Sequence, residues 1–148
     1  MTSRIEITVL IKAQPIVVWQ TLTIPACMTQ WMAEPEMMLE ITTDWKIGKP
    51  IVIKGFHHIA FENKGTVLQF EPVRCLRYSY LSSLSRLTDI PENYTIIDFS
   101  LRPIVDHTSV TITLSNFPTE AIFKHVQFYW STTMEILKEY TEKQTLPA

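Results

Sequence analysis

The fold is decided by residues 119–140, which read TEAIFKHVQFYWSTTMEILKEY. A helix advances by about 100° per residue, so the apolar side chains of this stretch share one broad face, made of Ile122, Phe123, Val126, Tyr129, Trp130, Thr133, Met134, Leu137 and Tyr140. A face this broad is typical of a helix packed across a sheet, not of a coiled coil. Pro118 suits the start of this helix, because the N–H that proline lacks would be unpaired there anyway.

The rest of the chain supplies the sheet. Residues 4–12 alternate between apolar and polar side chains, which predicts a half-buried strand. A short helix follows over residues 16–23, with Pro15 at its first turn. Ile24 and Pro25 end it, and residues 26–32 are predicted to form a second short helix. Beyond residue 37 the pattern is β. The candidate strands are residues 37–45, 50–58, 64–72, 74–81, 94–101 and 109–115, with turns at 46–49 and 103–107 and a long hairpin loop at 82–93.

This order predicts an α+β fold with a strand, two short helices, a run of about six strands and one long C-terminal helix. Short connections favour an antiparallel meander. A curved sheet of this kind buries its concave face against the long helix, and a cavity can open where the two diverge. No linker or repeat interrupts the pattern, so we expect residues 1–148 to form a single domain.

The composition excludes several classes of function. The net charge of −2 and the absence of a basic stripe argue against nucleic-acid binding. Three glycines among 148 residues are too few for a glycine-rich phosphate loop. No apolar run reaches the length of a membrane span, and the N-terminus lacks the pattern of a signal peptide. We therefore expect a cytoplasmic protein in which Cys27 and Cys75 are free thiols.

The ordered motifs of the chain resemble the activator of heat-shock-protein ATPase homologue family, within the START-like (SRPBCC, helix-grip) superfamily. The residues that carry this resemblance are Ala13, Val18, Trp19 and Trp31 near the N-terminus, Gly65, Val67, Pro72, Leu76 and Tyr78 in the middle, and Leu101, Pro103, Thr108, Val110, Leu114, Trp130 and Leu137 towards the end. The chain departs from the family pattern at Tyr129, where glycine is common, and at Gly48, which stands alone in place of a glycine pair.

The resemblance implies a helix-grip fold with a hydrophobic cavity between the sheet and the long helix. Members of the superfamily bind lipids, sterols or polyketides, and some act as cyclases or hydrolases. The eukaryotic proteins that give the family its name bind a chaperone, but they carry a second domain that we do not expect in these 148 residues. The resemblance therefore leaves both ligand binding and protein interaction open.

The polar residues that could bind a metal or catalyse a reaction are better explained by ordinary structural roles. His57 and His58 are adjacent, and adjacent strand residues point to opposite faces, so the two imidazoles are not expected to share a metal ion. Residues 106–109 read Asp-His-Thr-Ser, but catalytic triads form by convergence in space, and this run is expected in a turn. We predict no metal, no cofactor and no catalytic residue.

The aromatic residues and methionines are the better candidates for a ligand site. Tyr78 and Tyr80 are the main ones, because a buried hydroxyl needs a hydrogen-bond partner that a ligand can supply. The predicted ligand-binding residues are Trp31, Trp45, Phe56, His58, Tyr78, Tyr80, Trp130 and Met134.

The favoured hypothesis is a non-enzymatic domain that binds a small lipid-like or aromatic molecule in the cavity. The first alternative is a protein-interaction module that acts on a chaperone or forms a homodimer. Phe128 lies opposite the apolar face of the C-terminal helix, where a single exposed aromatic residue is normal and a self-association surface is the alternative. The second alternative is a cyclase or hydrolase that uses cavity residues, for which His58 is the candidate histidine.

Overall fold

The computed structural model describes residues 3–144, which form one antiparallel sheet and three α-helices. The helices are α1 (Pro15–Thr23), α2 (Pro25–Trp31) and α3 (Glu120–Gln144). The strands are β1 (Arg4–Ile11), β2 (Glu40–Thr42), β3 (Pro50–His57), β4 (Ile59–Glu71), β5 (Cys75–Ser82), β6 (Thr95–Ile104) and β7 (His107–Ser115). The predicted α+β order of elements is confirmed.

The sheet has the strand order β1-β7-β6-β5-β4-β3-β2. Consecutive strands from β2 to β7 are neighbours, as expected of a meander, and β1 closes the order by pairing with β7 along its whole length. Alternate residues of each strand point to the same face. The concave face therefore carries rows of buried apolar residues, such as Ile97, Phe99 and Leu101 of β6 and Val110, Ile112 and Leu114 of β7.

The helix α3 covers this concave face in the predicted phase. Its buried residues are Val126, Trp130, Thr133, Met134, Leu137 and Thr141. The helix begins at Glu120 because Thr119 caps it: the Thr119 hydroxyl accepts a hydrogen bond from the Ile122 amide at 3.1 Å. Phe128 points away from the sheet and is 76% exposed. Within residues 3–144 no helix has the length and hydrophobicity needed to span a membrane.

The short helices α1 and α2 are joined at Ile24, where Pro25 ends one helix and begins the other. One tryptophan side chain joins α2 to α1, and a second joins α1 to the segment after β2. The Trp31 indole donates to the Thr21 carbonyl at 2.9 Å, and the Trp45 indole donates to the Thr23 carbonyl at 2.7 Å. Both rings are thereby held in fixed positions beside the concave face.

The strand boundaries differ from the prediction by more than one residue in three places. The strand predicted over residues 37–45 is reduced to Glu40–Thr42, because Met38 and Trp45 have left-handed backbone angles. In contrast, β4 begins at Ile59, five residues before the predicted start. The turn between β6 and β7 is confined to Val105 and Asp106. The loop predicted between β5 and β6 is confirmed, and it contains two short 3₁₀ turns.

Candidate functional site

The space between α3 and the sheet is occupied by a layer of aromatic side chains around Trp130. The Trp130 ring lies 5.0 Å from Tyr129, 5.7 Å from Phe99 and 6.3 Å from Trp31, measured between ring centroids. Met134, one turn further along α3, is fully buried. The inner side of the helix is thus packed directly against the β6 strand and against α2.

A second aromatic group continues this layer towards β4 and β5. Trp45 stacks on Phe70 at 5.5 Å and meets Tyr78 edge-on at 6.0 Å. Tyr78 is only 3% exposed, and Tyr80 is packed partly buried against the same core. Six of the eight predicted ligand-binding residues therefore lie in or against the concave core, namely Trp31, Trp45, Tyr78, Tyr80, Trp130 and Met134.

The other two predicted residues lie apart from this layer. Phe56 alternates with the buried residues Ile51 and Ile53 along β3, which places it on the convex face, and it is 46% exposed. His58 is exposed in the turn between β3 and β4 and has a φ of 64°. The structure does not bring Phe56 or His58 together with the six core residues.

The two adjacent histidines are arranged differently from the prediction. The rings of His57 and His58 lie 4.8 Å apart, because His58 leaves the strand in a left-handed conformation and its side chain no longer points to the opposite face. The expectation of opposite faces is wrong at this turn. Across residues 3–144, however, no group of three or more His, Cys, Asp or Glu side chains is placed to hold a metal ion.

A small cavity lies where β3, β4 and β5 run side by side on the concave face. Its volume is about 10 Å³, and its lining residues are Ile51, Ile53, Asn63, Lys64, Tyr78, Ser79 and Tyr80. This volume is close to the minimum that holds one water molecule. Within the described residues, Asn63 Oδ1 is the buried side-chain atom that has no hydrogen-bond partner. A buried polar atom of this kind requires a partner or an explanation.

Three tyrosine hydroxyls lie around this part of the core. Burial raises the pKa of Tyr78, Tyr80 and Tyr129, because the charged phenolate would be poorly solvated there. The Tyr129 hydroxyl donates to the Met32 carbonyl at 2.5 Å. Among residues 3–144 we find no hydrogen bond to the Tyr78 hydroxyl. Tyr129 was not among the predicted site residues, although its position on the apolar face of the helix was a usable signal.

These raised pKa values predict a loss of stability in alkali. Tyrosine in an unfolded chain has a pKa of about 10, and the folded pKa of the three buried tyrosines is higher. The contribution of these tyrosines to the free energy of unfolding is therefore complete below a pH of about 10. It is lost as the pH rises further, because only the unfolded chain then releases the phenolic protons. The free energy of unfolding should fall by about 1.4 kcal/mol per pH unit for each buried tyrosine.

The measurement is denaturant unfolding at a series of alkaline pH values, with tyrosinate absorbance followed in parallel. Tyr78→Phe should have nearly the same stability as the parent chain at neutral pH, since no hydrogen bond is lost. Its stability should fall less steeply in alkali, by the contribution of one tyrosine. Ionisation of all five tyrosines near their ordinary pKa in a protein that stays folded would contradict the prediction.

A larger pocket, of about 190 Å³, lies on the opposite side of the sheet under the β5–β6 connection. The Lys64 ammonium and the Asp89 carboxylate form a 2.5 Å ion pair at this pocket, and the Tyr94 hydroxyl donates to the same carboxylate at 2.6 Å. The ion pair and the hydrogen bond lower the pKa of Asp89. The pocket lining is both charged and apolar, so it is not a continuation of the concave aromatic layer.

The Asp-His-Thr-Ser run was expected in a turn, but only Asp106 lies there, because β7 begins at His107 and contains the other three residues. The buried hydroxyl of Thr108 donates to the Ala13 carbonyl at 2.8 Å, which joins β7 to the segment after β1. His107 Nδ1 lies 3.3 Å from the Val105 carbonyl within the turn. The structure thus gives the Thr108 hydroxyl a structural role.

Comparisons with known proteins agree with this geometry. Residues 12–142 match the family described as Activator of Hsp90 ATPase homolog 1-like protein. The comparison with curated proteins finds no match. Among solved structures, the chain is similar to the solution structure of ChR145 from Cytophaga hutchinsonii, at 32% identity and a TM-score of 0.80, with 97% of each chain covered.

Two further solved structures show the same fold at lower identity. The protein CV1439 from Chromobacterium violaceum is 17% identical, with a TM-score of 0.80 and coverage of 94% of this chain and 96% of that chain. The Aha1 dimer from Colwellia psychrerythraea, solved in solution, is 22% identical, with a TM-score of 0.74 and coverage of 95% of this chain and 96% of that chain.

Proposed function

The chain belongs to the family of Activator of Hsp90 ATPase homolog 1-like proteins, and we propose that it is a non-enzymatic domain that binds a small hydrophobic molecule on the concave face of its sheet. The observation that carries this proposal is the buried aromatic layer that reaches Tyr78 and the unpartnered Asn63 Oδ1 at one small cavity. Ligand sites are concave and mostly apolar, with a few polar groups that orient the ligand.

The size of the cavity restricts where such a molecule can lie. A volume of about 10 Å³ admits a single atom group and not a whole ligand. The concave face continues past the cavity along β4, however, because Phe61 and Ile59 alternate with outward-facing residues in the same phase as Asn63. Ile59 is exposed and Phe61 is partly exposed. The body of the ligand is proposed to lie on this end of the face, with one group in the cavity.

The first test is native mass spectrometry of freshly purified protein, followed by analysis of an organic extract. The expected result is a stoichiometric adduct of small mass that the extract releases. If the protein is free of adduct, it should take up added fatty acids or aromatic compounds, and these should perturb the NMR signals of Trp45, Tyr78 and Phe61. A protein that is free of adduct and takes up none of these compounds would overturn the proposal.

Self-association is a second candidate function, and the outer face of α3 supports it. Phe128 is exposed to 76% there, and Ile136 is exposed two turns further along the helix. The occupant proposed for this face is a second copy of the chain, since the similar protein from Colwellia psychrerythraea is described as a dimer in solution. A single exposed aromatic residue is common on monomers. The oligomeric state therefore distinguishes a dimer contact at Phe128 from an ordinary exposed side chain.

Sedimentation equilibrium over a range of concentrations tests this candidate. A dimer that dissociates to monomer in Phe128→Ser, but not in the control Lys124→Ser on the same exposed side of the helix, would support it. A parent chain that remains monomeric at high concentration would exclude it.

A further inference from the structure

Gly55 leaves a gap in the concave face of the sheet, and two flexible side chains close this gap. The partner of Gly55 across the sheet is Phe61, and Leu39 lies beside it from the segment before β2. A Cβ atom at Gly55 would lie 2.7 Å from Phe61 Cζ and 2.8 Å from Leu39 Cδ2. The tips of the Phe61 and Leu39 side chains therefore occupy the space that a side chain at position 55 would fill.

The backbone conformation of Gly55 does not require a glycine. The φ of Gly55 lies outside the left-handed region, in contrast to that of Gly48. Gly65 differs from Gly55 in another way, because the Ser79 backbone fills the space beside Gly65 and cannot rotate aside. Gly55 is thus distinguished by a space in the sheet that movable side chains occupy.

The Phe61 ring is held less firmly than the larger aromatic rings of the concave face. Trp130 and Trp45 each pack against neighbouring aromatic rings, whereas Phe61 has no aromatic pairing among residues 3–144. Phe61 is partly exposed, and Ile59 on the same face is 59% exposed. Rotation of the Phe61 ring into solvent therefore breaks few contacts, and such rotations are fast for exposed side chains.

Rotation of the Phe61 ring would open a space next to the small cavity. The next residue pair on the same face of β3 and β4 is Ile53 and Asn63, and both residues line that cavity. The cavity alone, at about 10 Å³, is too small for a ligand. The space that the Phe61 ring would vacate has the size and shape of one phenyl group.

We infer that Phe61 covers the ligand site, and that an aromatic ring of the ligand takes the place of the Phe61 ring over Gly55. The inference rests on the proposed function, because it names the part of the concave face that the small hydrophobic molecule enters. The Phe61 ring itself shows that an aromatic ring fits this space. The neighbouring side chains of Leu39 and Ile53 are apolar and carry no charge that would bind an acid or an amine. The ligand class is thus a neutral compound with an aromatic ring.

The test compares toluene with methylcyclohexane, which has the same carbon skeleton but a thicker, puckered ring. Binding is followed by NMR titration of the Gly55 amide signal and the Phe61 ring signals. Toluene is expected to bind more tightly, and the Phe61 signals should move towards those of a solvent-exposed ring. Because toluene and the Phe61 ring compete for one space, the apparent affinity of the parent chain is reduced by the fraction of molecules in which that space is free.

Two variants should change the affinity for toluene in opposite directions. Phe61→Ala removes the competing ring and is expected to bind toluene about tenfold more tightly than the parent chain. Gly55→Ala places a methyl group in the shared space and should weaken binding. Phe56→Ala is the matched control, because Phe56 follows Gly55 on β3 but lies on the convex face, and it should bind toluene as the parent chain does. Phe61→Ala keeps the test decisive if Gly55→Ala fails to fold, since Phe61 is partly exposed.

The outcomes separate this inference from the proposed function. If Phe61→Ala binds toluene no more tightly than the parent chain, Phe61 is a fixed wall or lies away from the ligand; the inference is then overturned, and apolar ligand binding is left standing. Equal binding of toluene and methylcyclohexane would overturn the assignment to an aromatic ring. Failure of both probes to bind the parent chain and Phe61→Ala, together with an adduct-free native mass, would overturn both proposals.

Discussion

Trp130→Ala is expected to lower the free energy of unfolding by about 3–5 kcal/mol, the usual cost of emptying a large aromatic site in a core. Trp130 is 4% exposed and touches aromatic rings from three parts of the fold, namely Trp31 of α2, Phe99 of β6 and its neighbour Tyr129. Its removal therefore separates the helix from both the sheet and the α1–α2 pair. Close packing on all sides leaves little scope for the neighbours to close the gap.

Urea unfolding followed by circular dichroism measures this loss. Phe128→Ala is the matched control, since it truncates an aromatic residue two positions earlier on the same helix, where the side chain is 76% exposed. Its free energy of unfolding should change by less than about 0.5 kcal/mol. Similar losses in the two variants would show that the helix presents a different face to the sheet.

Gly65→Ala is expected to cost about 3 kcal/mol, at the upper end of the range for overpacking. A Cβ atom at this position would lie 1.7 Å from the carbonyl oxygen of Ser79 on the adjacent strand. The obstacle is backbone, so it cannot rotate away as a side chain can. The Ser79 hydroxyl also accepts a hydrogen bond from the Thr66 amide at 2.9 Å, and displacement of β5 would disturb this bond.

Gly48→Ala separates this clash from the general effect of replacing a glycine. Gly48 has a φ of +86° in the turn before β3, with no atom within 4 Å of the added Cβ. Only the conformational penalty of about 1–2 kcal/mol applies there. Thermal unfolding of both variants gives the comparison. If Gly65→Ala costs no more than Gly48→Ala, then β4 and β5 are further apart than described.

The helices were predictable because their signals are local. Each of α1, α2 and α3 begins beside a proline, and the apolar period of α3 persists over several turns, so its face and phase follow from residue spacing alone. The strand ends were less predictable. Met38 and Trp45 interrupt a stretch whose sequence predicts a continuous strand. Neither residue type favours the left-handed backbone conformation that both adopt.

The candidate site was predictable in its apolar part and not in its polar part. Trp31, Tyr78 and Trp130 follow from alternation and from helix phase, and the structure places them in the core. Phe56 is an aromatic residue of the kind that lines cavities, but the alternation of side chains along β3 places it on the convex face. Asn63 gave no signal, because an asparagine in a strand reads as an exposed residue, and its burial depends on which strands lie beside it.

The pairing of β1 with β7 has a consequence for how the chain acquires its structure. Within residues 3–144, β1 is the first strand in the chain and its neighbour in the sheet is β7, the last one. The Lys12 amide donates to the Glu142 carboxylate across a separation of 130 residues. Contacts this distant in sequence make folding slow. The other strands can join their neighbours in order as they emerge from the ribosome. The N-terminal strand must wait for β7, so residues 4–11 are exposed to proteases and chaperones for longer than any other strand.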